Sequence, residues 1–256
     1  SAATSPDKGS RKCCERNLRM GMKTVAIIGA LDEEVALIAK SLTHVTHTAK
    51  GSLDIVSGTV DSFGSDVIKV AATVGGMGLV NAAATTQLLI DEIAPDAVIF
   101  SGIAGNLNTH LYINDVVLGG TLRYLDTDMR LVGQFKPGTA DRPIEEYHSD
   151  DRLLELADQA LNDLNIHHIV GIIATGNYFV DDPQKVEQVI RETGADAVEM
   201  EGAAVAHVAA RNDVPALVIR ALSDNADTDY EDFKTFDISE YADTAAKLTV
   251  NIAKRM

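Results

Sequence analysis

Short apolar runs of strand length alternate with stretches of helical spacing along most of this chain, and no other feature limits its fold so tightly. Thr24 to Gly29 is a compact apolar run, after which GALDEEVALIAKSL places Val35, Leu37, Ile38 and Leu42 at helical spacing. Leu53 to Val60 and Val67 to Val74, with SFGSD between them, form a hairpin pattern. A helix over Val80 to Ile93 follows a glycine-rich loop, then a strand over Ala97 to Phe100 ends in SGIAG, where Gly102 and Gly105 are expected as turn and packing glycines. Asp115 to Gly119 extends the sheet, Asp151 to Asn165 is an amphipathic helix, Ile169 to Thr175 is a strand, and Pro183 to Arg191 is a helix that starts on its proline. In DAVEMEGAAVAHVAARNDVPALVIRALSDNAD, helical spacing follows Glu201, Asn212 and Pro215 break it, and a β-rich run leads from Pro215 to Leu222. The last helix covers about Ser239 to Lys254. Buried strands alternating with helices need cover on both faces. The expected architecture is α/β: a single-domain, three-layer αβα arrangement around a central mixed, mostly parallel twisted sheet.

With 256 residues, 46% of them hydrophobic, one large core is affordable and one domain is expected over residues 22–256. Ser1 to Gly21 is a basic leader, expected to be a remnant of expression or a disordered arm, with a second plausible start at Met22. Both cysteines, Cys13 and Cys14, lie in that leader, so the body has no disulfide framework and a cytoplasmic location fits. A formal charge of -16 disfavours nucleic acid and anionic lipid as partners, and no apolar run reaches the length of a membrane span. The seven histidines show no metal-ligand spacing beyond His44 and His47, which are expected on a solvated surface, so neither a metal nor a cofactor is expected. Thr121 to Tyr147 is polar and is expected to be a long loop serving as a lid or an interface.

Carboxylates stand where chemistry would need them. Asp32, Glu33 and Glu34 open a helix, a place where acids complement the macrodipole, although one or two would suffice. Asp224 follows Ser223 at the carboxyl end of a buried strand, where open α/β sheets collect ligands; the competing reading is a helix or turn cap. Gly75, Gly76 and Gly78 form a loop whose amides suit an anion or the close approach of a neutral ligand. Their spacing is neither of the common nucleotide fingerprints.

Six motifs in order, IIGALDEEV, VGGMGLVNAA, SGIAG, GIIATGNYFV, AVEMEG and RALSDNAD, resemble the nucleoside phosphorylase and nucleosidase superfamily over nearly all of Met22 to Met256. Within it the resemblance is strongest to the 5'-methylthioadenosine/S-adenosylhomocysteine nucleosidases. It implies a nucleoside phosphorylase-like fold and hydrolysis of an N-ribosidic bond with release of adenine. It also implies a homodimer in which a neighbouring subunit closes the alkylthio end of the pocket. By the same resemblance Glu34 is the base that takes a proton from water, and Asp224, held by Ser223, is the acid that protonates N7 of adenine. Glu201 holds the ribose hydroxyls, Met200 and Leu31 line ribose and base, Phe179 and Val180 stack on adenine and bond it through backbone, and Arg220 lies near the acid. The glycine-loop residues Gly76 and Met77 border the substrate. Gly75 stands where the family has serine and Asn177 where it has aspartate; Phe233 and Phe236 are candidates to close over the alkylthio tail.

Three alternatives share this scaffold. A phosphorylase needs cations for a phosphate dianion, and neither IIGALDEEV nor VGGMGLV offers an arginine. A futalosine-type nucleosidase would keep all three acids. A binding protein without activity would have no reason to retain Glu34, Glu201 and Asp224 together.

Overall fold

A computed structural model of the chain describes residues 22–125, 145–226 and 237–256. Its first strand, β1 (Thr24–Gly29), is followed by helix α1 (Asp32–Lys40) and by a three-strand meander, β2 (Thr43–Lys50), β3 (Leu53–Asp61) and β4 (Val67–Val74). Helix α2 (Leu79–Ile93) then leads to β5 (Ala97–Asn106) and β6 (Val116–Tyr124). The remaining elements are β7 (Glu146–His148), α3 (Asp151–Asp163), β8 (His168–Thr175), α4 (Pro183–Thr193), β9 (Ala197–Glu199), α5 (Gly202–Arg211), β10 (Ala216–Asn225) and α6 (Ile238–Lys254).

The strands form one mixed sheet with an unusual path. β5 pairs β10 in parallel, β10 pairs β6 antiparallel, β6 pairs β8 and β8 pairs β9 in parallel, and β9 returns to β5 antiparallel. Those five strands therefore close a ring. From β5 the sheet also extends as an open flap, through β1 and β4 in parallel and then β3 and β2 antiparallel. The longest pairings, β5 with β10 and β6 with β8, are parallel.

Consecutive apolar residues in a strand serve two cores because side chains alternate between faces. Val25 and Ile27 of β1 join Ile38 of α1, Leu161 of α3 and Ile252 of α6 on one face. Ala26 and Ile28 join Leu89 of α2 and Val205 of α5 on the other. The α/β three-layer expectation is met, and no helix among the described residues is long and apolar enough to cross a membrane.

Several local expectations need correction. SGIAG is not a tight turn, because β5 continues as strand through Asn106. Its glycines answer to neighbours instead: a Cβ on Gly102 would lie 2.5 Å from Nη1 of Arg220, and one on Gly105 would lie 3.1 Å from Cβ of Ala226. Gly102→Ala is thus expected to overpack a buried arginine and destabilise the protein by roughly 1–3 kcal/mol. An unchanged thermal midpoint would show that Arg220 yields without cost. Thr121 to Tyr124 belongs to β6, and Glu146 and Tyr147 to β7, so the expected loop is shorter at both ends; residues 126–144 lie outside the described residues. Leu42 falls beyond α1, which stops at Lys40. β2 gave no signal, since all eight of its residues are exposed and nothing alternates; His44 and His47 do lie on that solvated surface.

Candidate active site

The carboxyl ends of β5, β9 and β10 meet the glycine loop before α2 around a cleft of about 520 Å³. Met77, Phe179, Val180, Met200, Glu201 and Asp224 all border it, and Ser223 lies beside Asp224 on the same wall. Two of these face solvent strongly: Met77 is 75% exposed and Phe179 38%. They form the mouth. Leu31, Glu34, Gly76 and Arg220 do not border the cleft.

Asp224 is carried by β10 past an irregularity in the pairing with β5, between Leu222 and Asp224. The Ser223 hydroxyl donates to Oδ1 of Asp224 at 2.5 Å, while Oδ2 is buried with no partner among the described residues. Burial pushes the Asp224 carboxyl up from its ordinary value, and the serine bond only partly opposes this. The residues that an Asp224 cap would bond, 227–236, lie outside the described residues.

Glu34 sits in the first turn of α1 and is fully buried. One oxygen accepts from the Ala30 amide at 3.0 Å; the other, Oε1, has no partner among the described residues. Desolvation pushes its pKa up to about 7, against weaker opposing effects of the Ala30 amide, Ser101 and Arg220. Leu31 is the residue before α1, its carbonyl accepting from Val35, so it brackets Glu34 from the chain side.

Glu201 begins α5 and accepts from the Gly78 amide at 2.8 Å, tying the ring of strands to the glycine loop. Burial, then the neighbouring Glu199, raises its pKa. Glu199 was not singled out by sequence. Its carboxylate organises the site: Oε2 accepts from the Glu201 and Gly202 amides at 3.0 and 2.7 Å and from Arg220 Nη2 at 2.6 Å. Oε1 accepts from the Thr175 hydroxyl. Unlike Glu34 and Asp224, Glu199 has no oxygen to spare.

Arg220 stands among the carboxylates at the site. It is fully buried, its ion pairs run to Glu199 and, at 3.8 Å, to Glu201, and its guanidinium stacks 4.1 Å from the Phe100 ring centre. It holds the carboxylates of the site from behind. The departures from the family also have local reasons. A Cβ on Gly75 would lie 2.7 Å from Cγ2 of Ile28, leaving no room for serine. Asn177 accepts from the Leu79 amide at 3.2 Å, a bond its amide oxygen supplies as an aspartate would. Gly76 and Gly78 have φ of +77° and +89°, which favours glycine in the loop. Phe233 and Phe236 fall outside the described residues.

Buried acids with unequal surroundings at the carboxyl ends of a sheet recur in enzymes that break glycosidic bonds. Comparisons with known proteins agree in kind. The chain is 35% identical over 230 residues to the 5'-methylthioadenosine/S-adenosylhomocysteine nucleosidase of Lysinibacillus sphaericus, covering 89% of this chain and 96% of that protein. It is 34% identical to the Bacillus subtilis protein of the same name, covering 91% and 99%. Among solved structures, the nucleosidase of that name from Neisseria meningitidis, in complex with methylthio-immucillin-A, superposes with a TM-score of 0.81 at 31% identity, covering 92% of this chain and 100% of that one. Futalosine hydrolase of Helicobacter pylori superposes with a TM-score of 0.79 at 29% identity, covering 92% and 99%. The profile of the phosphorylase superfamily matches residues 24–256, and with the fold, the relatives and the acid-lined cleft in agreement, the chain belongs to that superfamily, as an enzyme of its nucleoside hydrolase and phosphorylase kind.

Proposed function

We propose that the protein hydrolyses the N-ribosidic bond of 5'-methylthioadenosine and S-adenosylhomocysteine, releasing adenine and the thioribose product. The observation that carries this reading is that Glu34 and Asp224, alone among the buried side chains described, each keep an oxygen without a partner, while Glu199 beside them is saturated. A water molecule is a poor nucleophile until a base takes its proton, and a base with a pKa of about 7 is matched to neutral pH. Glu34 takes that proton as the water oxygen bonds to C1'. The C1'–N9 electron pair leaves with the base, and Asp224 delivers a proton to N7, so adenine departs neutral. Glu201 holds the ribose hydroxyls beside the cationic centre, with Met200 against the sugar and Phe179 and Val180 against the purine.

Water is favoured over phosphate by charge. Among the described residues bordering the cleft there is no lysine, arginine or histidine, and the nearest guanidinium, Arg220, is engaged by Glu199. Two amides of the glycine loop are also taken, Gly78 by Glu201 and Leu79 by Asn177. A dianion buried there would lack partners. Adenine release is expected to proceed at full rate in phosphate-free buffer, yielding the free sugar; strict dependence on phosphate with a sugar 1-phosphate as product would make the protein a phosphorylase.

A futalosine-type substrate is the second reading, favoured by the equal quality of the Helicobacter pylori superposition. Base release measured on methylthioadenosine, adenosylhomocysteine, adenosine, inosine and aminofutalosine separates the two. Preference for aminofutalosine would move the assignment. A homodimer and a cytoplasmic location accompany the proposal, and a fully active monomer in sedimentation would remove the first.

A further inference from the structure

Four helices among the described residues follow an acidic residue, and one of them does not use it. Asp150 before α3, Asp182 before α4 and Asp237 before α6 each turn the side-chain carboxylate back onto an amide of their own first turn, the ordinary way an acid caps a helix. Glu201 heads α5 and makes no such bond. Its carboxylate reaches away instead, to the Gly78 amide at 2.8 Å, and borders the cleft.

The amides at the head of α5 are nonetheless engaged. Oε2 of Glu199 accepts from those of Glu201 and Gly202, the Thr175 hydroxyl accepts from that of Ala203 at 3.0 Å, and the Glu201 carbonyl accepts from those of Ala204 and Val205 at 2.9 and 3.2 Å. Thr175 and Glu199 stand opposite one another in the ladder between β8 and β9, and the hydroxyl that accepts from Ala203 donates to Oε1 of Glu199. Arg220 anchors Oε2 through Nε at 3.1 Å and Nη2 at 2.6 Å. Gly202 lets the carboxylate come close, since a Cβ there would lie 3.2 Å from Oε1. Thr175 and Glu199 are both buried.

We infer that Thr175 and Glu199 cap α5 in place of Glu201, and so leave the Glu201 carboxylate to the sugar. The inference deepens the proposed function and rests on Glu201 holding the ribose hydroxyls. Thr175 is the member that closes the arrangement, because its one hydroxyl serves both the helix and the carboxylate. Without it the Ala203 amide and Oε1 of Glu199 lose a partner together, and a buried polar group left unpaired costs free energy. The Glu201 carboxylate, two residues before that amide, would then do as Asp150, Asp182 and Asp237 do: fold back onto its own helix and leave Gly78 and the cleft. Thr175 is therefore a positioning residue, acting on the sugar through Glu201.

The test is the ratio of kcat/KM for base release from 5'-methylthioadenosine to that from its 2'-deoxy counterpart, a quantity that reads the grip on the hydroxyl and not the soundness of the fold. Thr175→Val is expected to lower that ratio about three- to tenfold, chiefly by slowing the ribonucleoside, and Thr175→Ser, which keeps the hydroxyl, to restore it. Thr175→Ala removes the hydroxyl without setting a methyl group against the carboxylate, and gives the same reading where the valine variant fails to fold. Equal slowing on both nucleosides, with the ratio unmoved, would make Thr175 a core residue alone and overturn the inference. Glu201→Ala separates this from the function proposed above, since it should lower the ratio at least as far. A ratio lowered by Glu201→Ala and unmoved by Thr175→Val leaves Glu201 on the sugar and removes the cap. A ratio that Glu201→Ala leaves unmoved takes Glu201 off the sugar, and the inference with it.

Discussion

Asp224→Asn is expected to slow release of the base by roughly 10²- to 10⁴-fold, the usual contribution of a general acid. The substitution keeps size and polarity, and Ser223 can still bond the remaining carbonyl oxygen, so the strand end should hold its shape. What is lost is the proton. Burial favours the protonated carboxyl in the wild-type protein, and an amide has no equivalent to offer a departing purine. The effect should fall on kcat, with binding of a non-hydrolysable nucleoside analogue retained within a few-fold. A variant that turned over at nearly the wild-type rate would leave Asp224 a structural group at the end of β10.

Glu34→Gln is expected to cost a comparable factor in turnover, again with ligand still bound, and it carries a second signature in stability. The folded-state pKa of Glu34 lies near 7 against an ordinary 4.5. Below 4.5 the group is protonated in both states and no penalty arises. Between 4.5 and about 7 the folded protein holds a proton that the unfolded chain has lost, so stability falls as pH rises; above about 7 the ionised, buried carboxylate costs about 3 kcal/mol. Glutamine has no such dependence. The variant should therefore gain stability relative to wild type from pH 4.5 to 8, read as a widening difference in thermal midpoint. Parallel stability curves for the two proteins would show that Glu34 ionises normally and is unsuited to the task proposed for it.

How much of this was legible in the sequence depends on whether a residue's role is local. β1 matches its apolar run residue for residue, and Pro183 marks the start of α4, because punctuation and periodicity are short-range signals. The glycines of SGIAG misled for the opposite reason. Glycine usually speaks of a turn, but here it makes room for Arg220, which is distant in sequence and adjacent only because β10 pairs with β5. Glu201 and Asp224 stood out beside breaks in pattern. Glu199 did not, since two of its four partners, Thr175 and Arg220, are distant in sequence and reach it only in the folded ring. β2 was silent because an exposed edge strand has no buried face to impose alternation.

The path of the sheet divides the proposed chemistry between a closed ring and an open flap. Asp224 and Glu201 are borne by the closed ring, where each strand is gripped on both sides and the acid end and the ribose end cannot slide past one another. Glu34 follows β1, the first strand of the open flap, whose ladder to the ring is Val25 to Ile28 against Ala97 to Phe100. In the proposed reaction, the purine and sugar are thus held by the ring while the base that activates water is carried by the neighbouring flap. A change that shifts β1 against β5 is therefore expected to lower turnover more than binding of a nucleoside analogue.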